Sequence, residues 1–216
     1  MAISLSRRQL AQVGALAAGG WAVGVWLRRH RALGRRIDRP DLVRAILDDP
    51  HAPASGPADA PLRLAVFSDY RCPACRKAFP AMEDALEADG RVRVVYKDWP
   101  IFGVPSEYAA RIALATAEQG IYPAVHRRLM TDGRTIDDGM LRDIVTAAGG
   151  DWTRATAWAV AHGAAIDAQL AANARQAAQL GLPGTPGYLA NDMLVVGALD
   201  RHDFSRLFAQ ARQPQG

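Results

Sequence analysis

Leu62-Arg63-Leu64-Ala65-Val66-Phe67 leads into Cys72-Pro73-Ala74-Cys75, and a helix-forming run from Arg76 to Leu86 follows. The apolar stretch before the cysteines reads as a buried strand. The two cysteines are the only ones in the 216-residue chain. Two thiols three positions apart are either a redox pair or half of a metal site. A structural zinc site wants four ligands, and there is no third cysteine. His126, His162 and His202 are too far apart in sequence to form a close histidine pair. Haem attachment needs a histidine directly after the second cysteine, where Arg76 stands. Inert structural thiols prefer apolar surroundings and have no reason to flank a proline at a helix start. The redox reading carries the most weight, with no metal and no cofactor beyond the pair itself.

Pro73 suits the first helical position, where its missing N–H is no loss and its fixed φ fits. Cys72 is then the N-cap, its sulfur facing the unpaired N–H groups of the first turn. Those groups and the helix dipole favour a thiolate there by about 0.3–2 kcal/mol. The thiolate is both the nucleophile and the better leaving group. Cys75, one turn further in, reads as the more buried, resolving thiol.

Arg91-Val92-Arg93-Val94-Val95-Tyr96-Lys97 alternates and is β-branched, which predicts a second strand. Strand, helix and strand give a parallel βαβ unit. From about Ser106 to Leu180 the chain is alanine-rich and helical. Ser106 and Thr135 read as N-caps, Thr135 with Asp138 at the capping-box spacing. Gly120, Gly133 and Gly149-Gly150 divide the block into several helices. Two short strands follow, about Tyr188–Ala190 and Met193–Val196, turning at Asn191-Asp192. A last helix begins near Asp200. The stretch Ala52–Pro61 reads as a linker or an extended lead into the first strand. The order implies an α/β fold: a mixed sheet with helices on both faces, interrupted by a helical insertion.

At this point the chain resembles the DsbA family of thiol:disulfide oxidoreductases. The resemblance rests on Phe67 to Cys75, Tyr96-Lys97-Asp98-Trp99-Pro100-Ile101, Ala109-Ala110-Arg111, His126 with Leu129-Met130, Gly184-Thr185-Pro186, and Val196-Gly197-Ala198. It spans about Asp41 to Ala209. It implies a thioredoxin-like mixed β-sheet flanked by helices, with an inserted α-helical domain, preceded here by an N-terminal hydrophobic helix. It also implies that the Thr185–Pro186 bond is cis and lies against the CxxC. The Thr185 backbone would pair with an extended substrate chain. Pro73 and Ala74 would join Thr185 and Pro186 in supporting catalytic Cys72 and Cys75.

Three departures from the family pattern bear on function. Many relatives carry an acid six residues before the first cysteine, where this chain has Val66. That acid helps move a proton to or from the buried cysteine. Lys97 and Asp98 are the candidate substitutes, against the simpler reading of exposed charges at a strand end. Ala74 brings no charge or donor between the cysteines, which implies a less oxidising pair than the family archetype. Gly187 stands where relatives often carry a larger residue, which implies a more open groove floor.

Residues 1–36 hold seven arginines and no acid, and Leu10 to Leu27 is apolar. Ser6-Arg7-Arg8-Gln9-Leu10 looks like a twin-arginine export signal. The apolar run is about long enough to span a bilayer, which takes about 20 residues. A cleaved signal peptide and a retained transmembrane anchor both remain open. Arg28, Arg29, Arg31, Arg35 and Arg36 outnumber Arg7 and Arg8, so the positive-inside rule alone places the domain in the cytoplasm. Dithiol oxidants work in oxidising compartments, which favours export to the periplasm. The whole chain carries +4, so without those seven arginines residues 37–216 carry −3. The basic character belongs to the N-terminal segment and gives no support for nucleic-acid binding.

These readings divide the chain into a signal or anchor (1–36), an N-terminal helix and linker (37–61), a first half of the sheet domain with the CxxC (62–104), a helical insertion (105–180), and a second half with the proline loop (181–216). The expected function is a periplasmic thiol:disulfide oxidoreductase. Its Cys72–Cys75 disulfide would exchange with thiols of unfolded exported proteins through a mixed disulfide at Cys72. A membrane partner would then reoxidise or reduce the pair. The alternatives are the reductase or isomerase direction, or a binding module dedicated to one client in cytochrome or metalloprotein maturation. A glutathione-dependent isomerase of the same fold class is disfavoured, because those relatives usually have serine in place of the first cysteine.

Overall fold

The computed structural model describes Gly20 and residues 33–213. The chain divides into two units, Met1–Leu33 and Gly34–Gly216, and the elements below belong to the second. The twin-arginine, anchor and hydrophobic-helix readings therefore lie outside the described residues. Among the described residues, no helix is long and apolar enough to cross a membrane.

Six strands form one mixed sheet: β1 (Arg35–Arg36), β2 (Ala54–Ser55), β3 (Leu62–Ser68), β4 (Val92–Asp98), β5 (Gly187–Ala190) and β6 (Met193–Val196), in the order β1-β6-β5-β3-β4-β2. Only β3 and β4 are parallel, with Val66 opposite Tyr96 and Ser68 opposite Asp98. The connection between them is helix α2 (Pro73–Asp89), which completes the βαβ unit. β5 runs antiparallel to β3 on its other side and turns into β6 through Asn191, whose φ of 49° is the left-handed conformation that asparagine tolerates. The two edge strands are absent from the sequence reading. Each is two residues long, too short for periodicity to register, and β2 lies within the Ala52–Pro61 stretch.

Alternation along the strands sends successive side chains to opposite faces. Ala65, Phe67, Val95, Leu189 and Leu194 face one way. They pack with Ile37, with Leu42, Ile46 and Leu47 of α1 (Pro40–Leu47), and with Ala177 of α7 (Gly163–Gln179). Val66, Ser68, Tyr96 and Asp98 face the other way. Tyr188 of β5 meets the ring of Phe204 edge-on at 5.0 Å, from α8 (Arg201–Ala211).

Between β4 and β5 the chain makes α3 (Val104–Ala115), a 3-10 turn (Thr116–Gln119), α4 (Tyr122–Thr131), α5 (Asp138–Ala147), α6 (Trp152–Ala161) and α7. Gly120 and Gly149 end helical segments at φ 73° and 84°, as the glycine breaks imply. Two expected caps are corrected. Gly103, not Ser106, precedes α3, and Ser106 instead gives its hydroxyl hydrogen to Asp69. Asp137, not Thr135, caps α5, with its carboxylate accepting from the Met140 N–H at 2.8 Å. Aspartate is the stronger cap, and the helix starts two residues later than the Thr135 pattern suggests.

Lys97 is fully buried on the α1–α7 face and pairs with Asp49 at 2.6 Å, and Gln169 also donates to Asp49 at 3.1 Å. Burial holds the Lys97 ammonium below its usual range. Burial pushes Asp49 up, but hydrogen bonds from Lys97, Gln169 and the His51 N–H outweigh it and hold the carboxyl low. Removing one partner of a buried pair strands the other charge. Lys97→Met is expected to lower stability by about 3 kcal/mol in urea unfolding, with part of the loss recovered in Lys97→Met/Asp49→Ala. A loss of under about 1 kcal/mol would show that water reaches this pair.

Candidate functional site

Cys72 is the N-cap of α2 and Pro73 its first residue. The Cys72 Sγ accepts from the Cys75 N–H at 3.2 Å, and its thiol donates to the Thr185 carbonyl at 3.3 Å. The Thr185–Pro186 bond is cis, as the resemblance implies. Residues 113 positions apart thus meet in one site. Pro73 is exposed and Ala74 half-buried, while Pro186 is buried.

Three expectations about the site are corrected. Cys72 is 1% exposed and Cys75 3%, so the second cysteine is not the more buried of the two. The Thr185 segment that lies over Cys72 covers the first cysteine as fully as the helix covers the second. The floor beside Gly187 is not open: a Cβ there would come within 2.7 Å of the Leu182 methyls, which occupy the space. Lys97 and Asp98 are not exposed charges, since Lys97 is 0% and Asp98 2% exposed. The β4 alternation also separates them. Lys97 turns to the α1–α7 face, away from α2, and is committed to Asp49. Asp98 shares the face of Val66 and Tyr96.

Asp98 lies in a cluster that sequence reading does not assemble. Tyr122 donates to its Oδ2 at 2.8 Å, and Asn173 donates to its backbone carbonyl at 2.9 Å. Tyr70 contacts His126 Nδ1 at 3.0 Å and the Tyr122 hydroxyl at 3.3 Å. His126 also packs against Tyr96, with ring centres 4.6 Å apart, and against Phe79. Burial pushes the Asp98 carboxyl up to about 7, against the hydrogen bonds from Tyr122 and Tyr70, which lower it. Burial also holds His126 down at about 3, so its imidazole is neutral at physiological pH. Burial raises the Cys75 thiol, and the hydrogen bond with Cys72 adds to the shift.

Asp69 is a residue whose role the sequence reading missed. Its carboxylate accepts from the N–H groups of Arg71 at 2.7 Å, Ile101 at 2.6 Å and Phe102 at 3.0 Å, and from the Ser106 hydroxyl. Its backbone carbonyl accepts from the Cys72 N–H at 3.1 Å. The sequence signal was present: an aspartate three residues before an N-cap is a turn former. Its long-range partners are visible only in the fold. The loop it holds presents Ile101 and Phe102, 44% and 42% exposed.

The Asp98 shift has a definite sign. The folded carboxyl titrates near 7 against an ordinary 3.8, so between these values the folded protein binds the extra proton. Stability therefore falls as pH rises through that window, by at most about 1.4 kcal/mol per pH unit. Asp98→Asn is expected to flatten this decline in urea unfolding compared at about pH 4.5 and about pH 7.5. An equal slope in the variant would assign the dependence to another group.

The sequence profile of the DSBA-like thioredoxin domain matches residues 63–209. A thioredoxin-like oxidoreductase from Silicibacter pomeroyi is 32% identical and superposes with a TM-score of 0.74, covering 80% of this chain and 98% of that one. A periplasmic thioredoxin-like protein from Salmonella enterica serovar Typhimurium is 25% identical with a TM-score of 0.69, covering 82% and 99%. A stretch of 77 residues is 35% identical to the Na(+)/H(+) antiporter NhaA 3 of Salinispora tropica, and covers 35% of this chain and 12% of the antiporter. The chain thus matches only a small part of that relative's length. The profile match, the structural likeness and the Cys72–Thr185 geometry agree: the chain belongs to the DSBA-like thioredoxin domain family.

Proposed function

We propose that this protein exchanges the Cys72–Cys75 disulfide with thiols of exported proteins in the periplasm. The observation that carries the reading is Cys72 at the start of α2, its sulfur hydrogen-bonded to the Cys75 N–H and to the Thr185 carbonyl. Cys72 stands at the helix start against the Thr185 backbone, where an extended client would pair, and this placement assigns it as the sulfur attacked. A client thiolate attacks the Cys72 Sγ, the Cys72–Cys75 bond breaks, and its electron pair leaves with Cys75. A second client thiolate then attacks the client sulfur of the mixed disulfide and releases Cys72. The client dithiol is oxidised by two electrons and the pair is reduced. A membrane partner or a small disulfide restores the pair.

Cys75 needs a proton when it leaves, because burial disfavours its thiolate. Asp98 is the group assigned to this proton, in place of the acid that Val66 replaces. It lies on the sheet face that α2 covers, and a carboxyl titrating near 7 can give and regain a proton at neutral pH. Lys97 has no part in it. Clients in extended form would lie along the Thr185–Pro186 segment, with apolar side chains against Ile101 and Phe102. An Ile101 methyl lies 3.9 Å from the Cβ position of Gly184, so this loop adjoins the proline loop. Export or tethering by the arginine-rich N-terminal segment would place the domain in the oxidising compartment.

Cys72→Ser is expected to abolish oxidation of a reduced, unfolded client. Cys75→Ser is expected to trap a client disulfide at Cys72, visible as a mass adduct that dithiothreitol removes. Activity retained in Cys72→Ser, or adducts found only at Cys75, would overturn the assignment. The equilibrium of the pair with glutathione fixes the direction, and a potential as low as that of cytosolic reductants would rule out the oxidant role.

A further inference from the structure

Beside the start of α2 lies a cleft of about 300 Å³, lined by Arg71, Arg76, Pro105, Arg134 and Ile136. Arg71 and Arg76 are the residues immediately outside the two cysteines. Among the described residues neither makes a direct ion pair with a carboxylate, although Arg76 lies near enough to Asp132 to help Arg134 hold its carboxyl low. Arg71 donates to the Phe102 carbonyl at 3.0 Å, and Arg76 donates to the Asp132 carbonyl. Arg134 is different, since it pairs with Asp132 and Asp143, both at 2.7 Å. The Asp69 carboxylate beneath the loop is 2% exposed and already accepts four hydrogen bonds. Further out, Asp137 caps α5 and Asp138 accepts from Tyr108. The acids near the cleft are thus engaged, and two guanidinium groups next to the redox pair keep free donor capacity.

This placement runs against the charge of the domain. Residues 37–216 carry −3 overall, so a bare surface there would repel acidic chains. Guanidinium groups match carboxylates through paired N–H donors, and a single carbonyl partner leaves most of those donors available. Pro105 and Ile136 offer apolar wall to the methylene stem of such a residue. The volume accommodates one or two side chains, and the cleft adjoins the Phe102 surface where an extended client would lie.

We propose that the Arg71–Arg76–Arg134 cleft is a carboxylate-binding subsite, which selects clients carrying an acidic residue beside the reacting cysteine. The inference rests on the exchange reading given above and names the client class that this reading leaves open.

The test uses three cysteine peptides of one length, flanked by aspartate, asparagine or lysine, reacting with the oxidised full-length protein. Mixed-disulfide formation is followed by acid quench and mass spectrometry, with each rate divided by the peptide's thiolate fraction. The aspartate peptide is expected to react about tenfold faster than the lysine peptide, at the low end of electrostatic steering. Added salt should shrink that ratio. Arg71→Glu should bring the ratio to about one or invert it. Because the ratio is taken within each variant, a general loss of reactivity cancels. If Arg71→Glu does not fold, the salt dependence of the wild-type ratio still decides. A wild-type ratio near one at low salt, or one that Arg71→Glu leaves unchanged, would overturn the subsite. If dithiothreitol also fails to exchange with Cys72–Cys75, the exchange reading itself fails; if it exchanges normally, only the subsite does.

Discussion

The Asp69 carboxylate ties together three segments around the start of α2. It takes the Arg71 N–H from the turn before Cys72, the Ile101 and Phe102 N–H groups from the end of β4, and the Ser106 hydroxyl from the first turn of α3. Four donors, three of them backbone amides, compensate a charge that is almost wholly out of water. A charge without such partners would be too costly to bury. The consequence is geometric. The turn that delivers Cys72 to the start of α2 is fixed relative to the loop that presents Ile101 and Phe102. The helical insertion is anchored to the same point through Ser106. Reactive sulfur, apolar loop and insertion are placed by one side chain that takes no part in the chemistry.

The strong periodic signals carried the sheet. β3 and β4 each bury nearly every residue, and such runs survive in sequence as apolar or β-branched stretches. The start of α2 was legible because Pro73 and Cys72 follow local rules of helix initiation. The Thr185–Pro186 segment was legible only through the resemblance, since no local rule brings it to a cysteine 113 residues away. The same limit explains the misreadings. Lys97 and Asp98 look like a solvated strand end because charged residues are rarely buried without partners. Their partners, Asp49 for Lys97 and Tyr122 and Asn173 for Asp98, come from other segments of the chain. Ser106 and Thr135 are reasonable caps by composition, but Asp69 claims the first and Asp137 displaces the second.

One strand thus carries two adjacent charged residues to opposite fates. Lys97 and Asp98 differ by one position, and the twofold period of a strand sends them to opposite sheet faces. On the α1–α7 face a full counter-charge is available, and the ion pair is structural. On the α2 face no cation among the described residues pairs with Asp98; it receives a tyrosine hydroxyl, and burial raises its carboxyl to about 7. A neutral partner lowers the cost of ionisation without removing it, which leaves the proton mobile near neutral pH. An arginine or lysine in place of Tyr122 would hold Asp98 permanently ionised. The insertion therefore does more than cover the sheet. It supplies Tyr122 as an uncharged donor to the acid, with His126, held neutral at about 3, behind that hydroxyl. A carboxyl in such surroundings suits the proton role proposed for it in place of an acid at position 66.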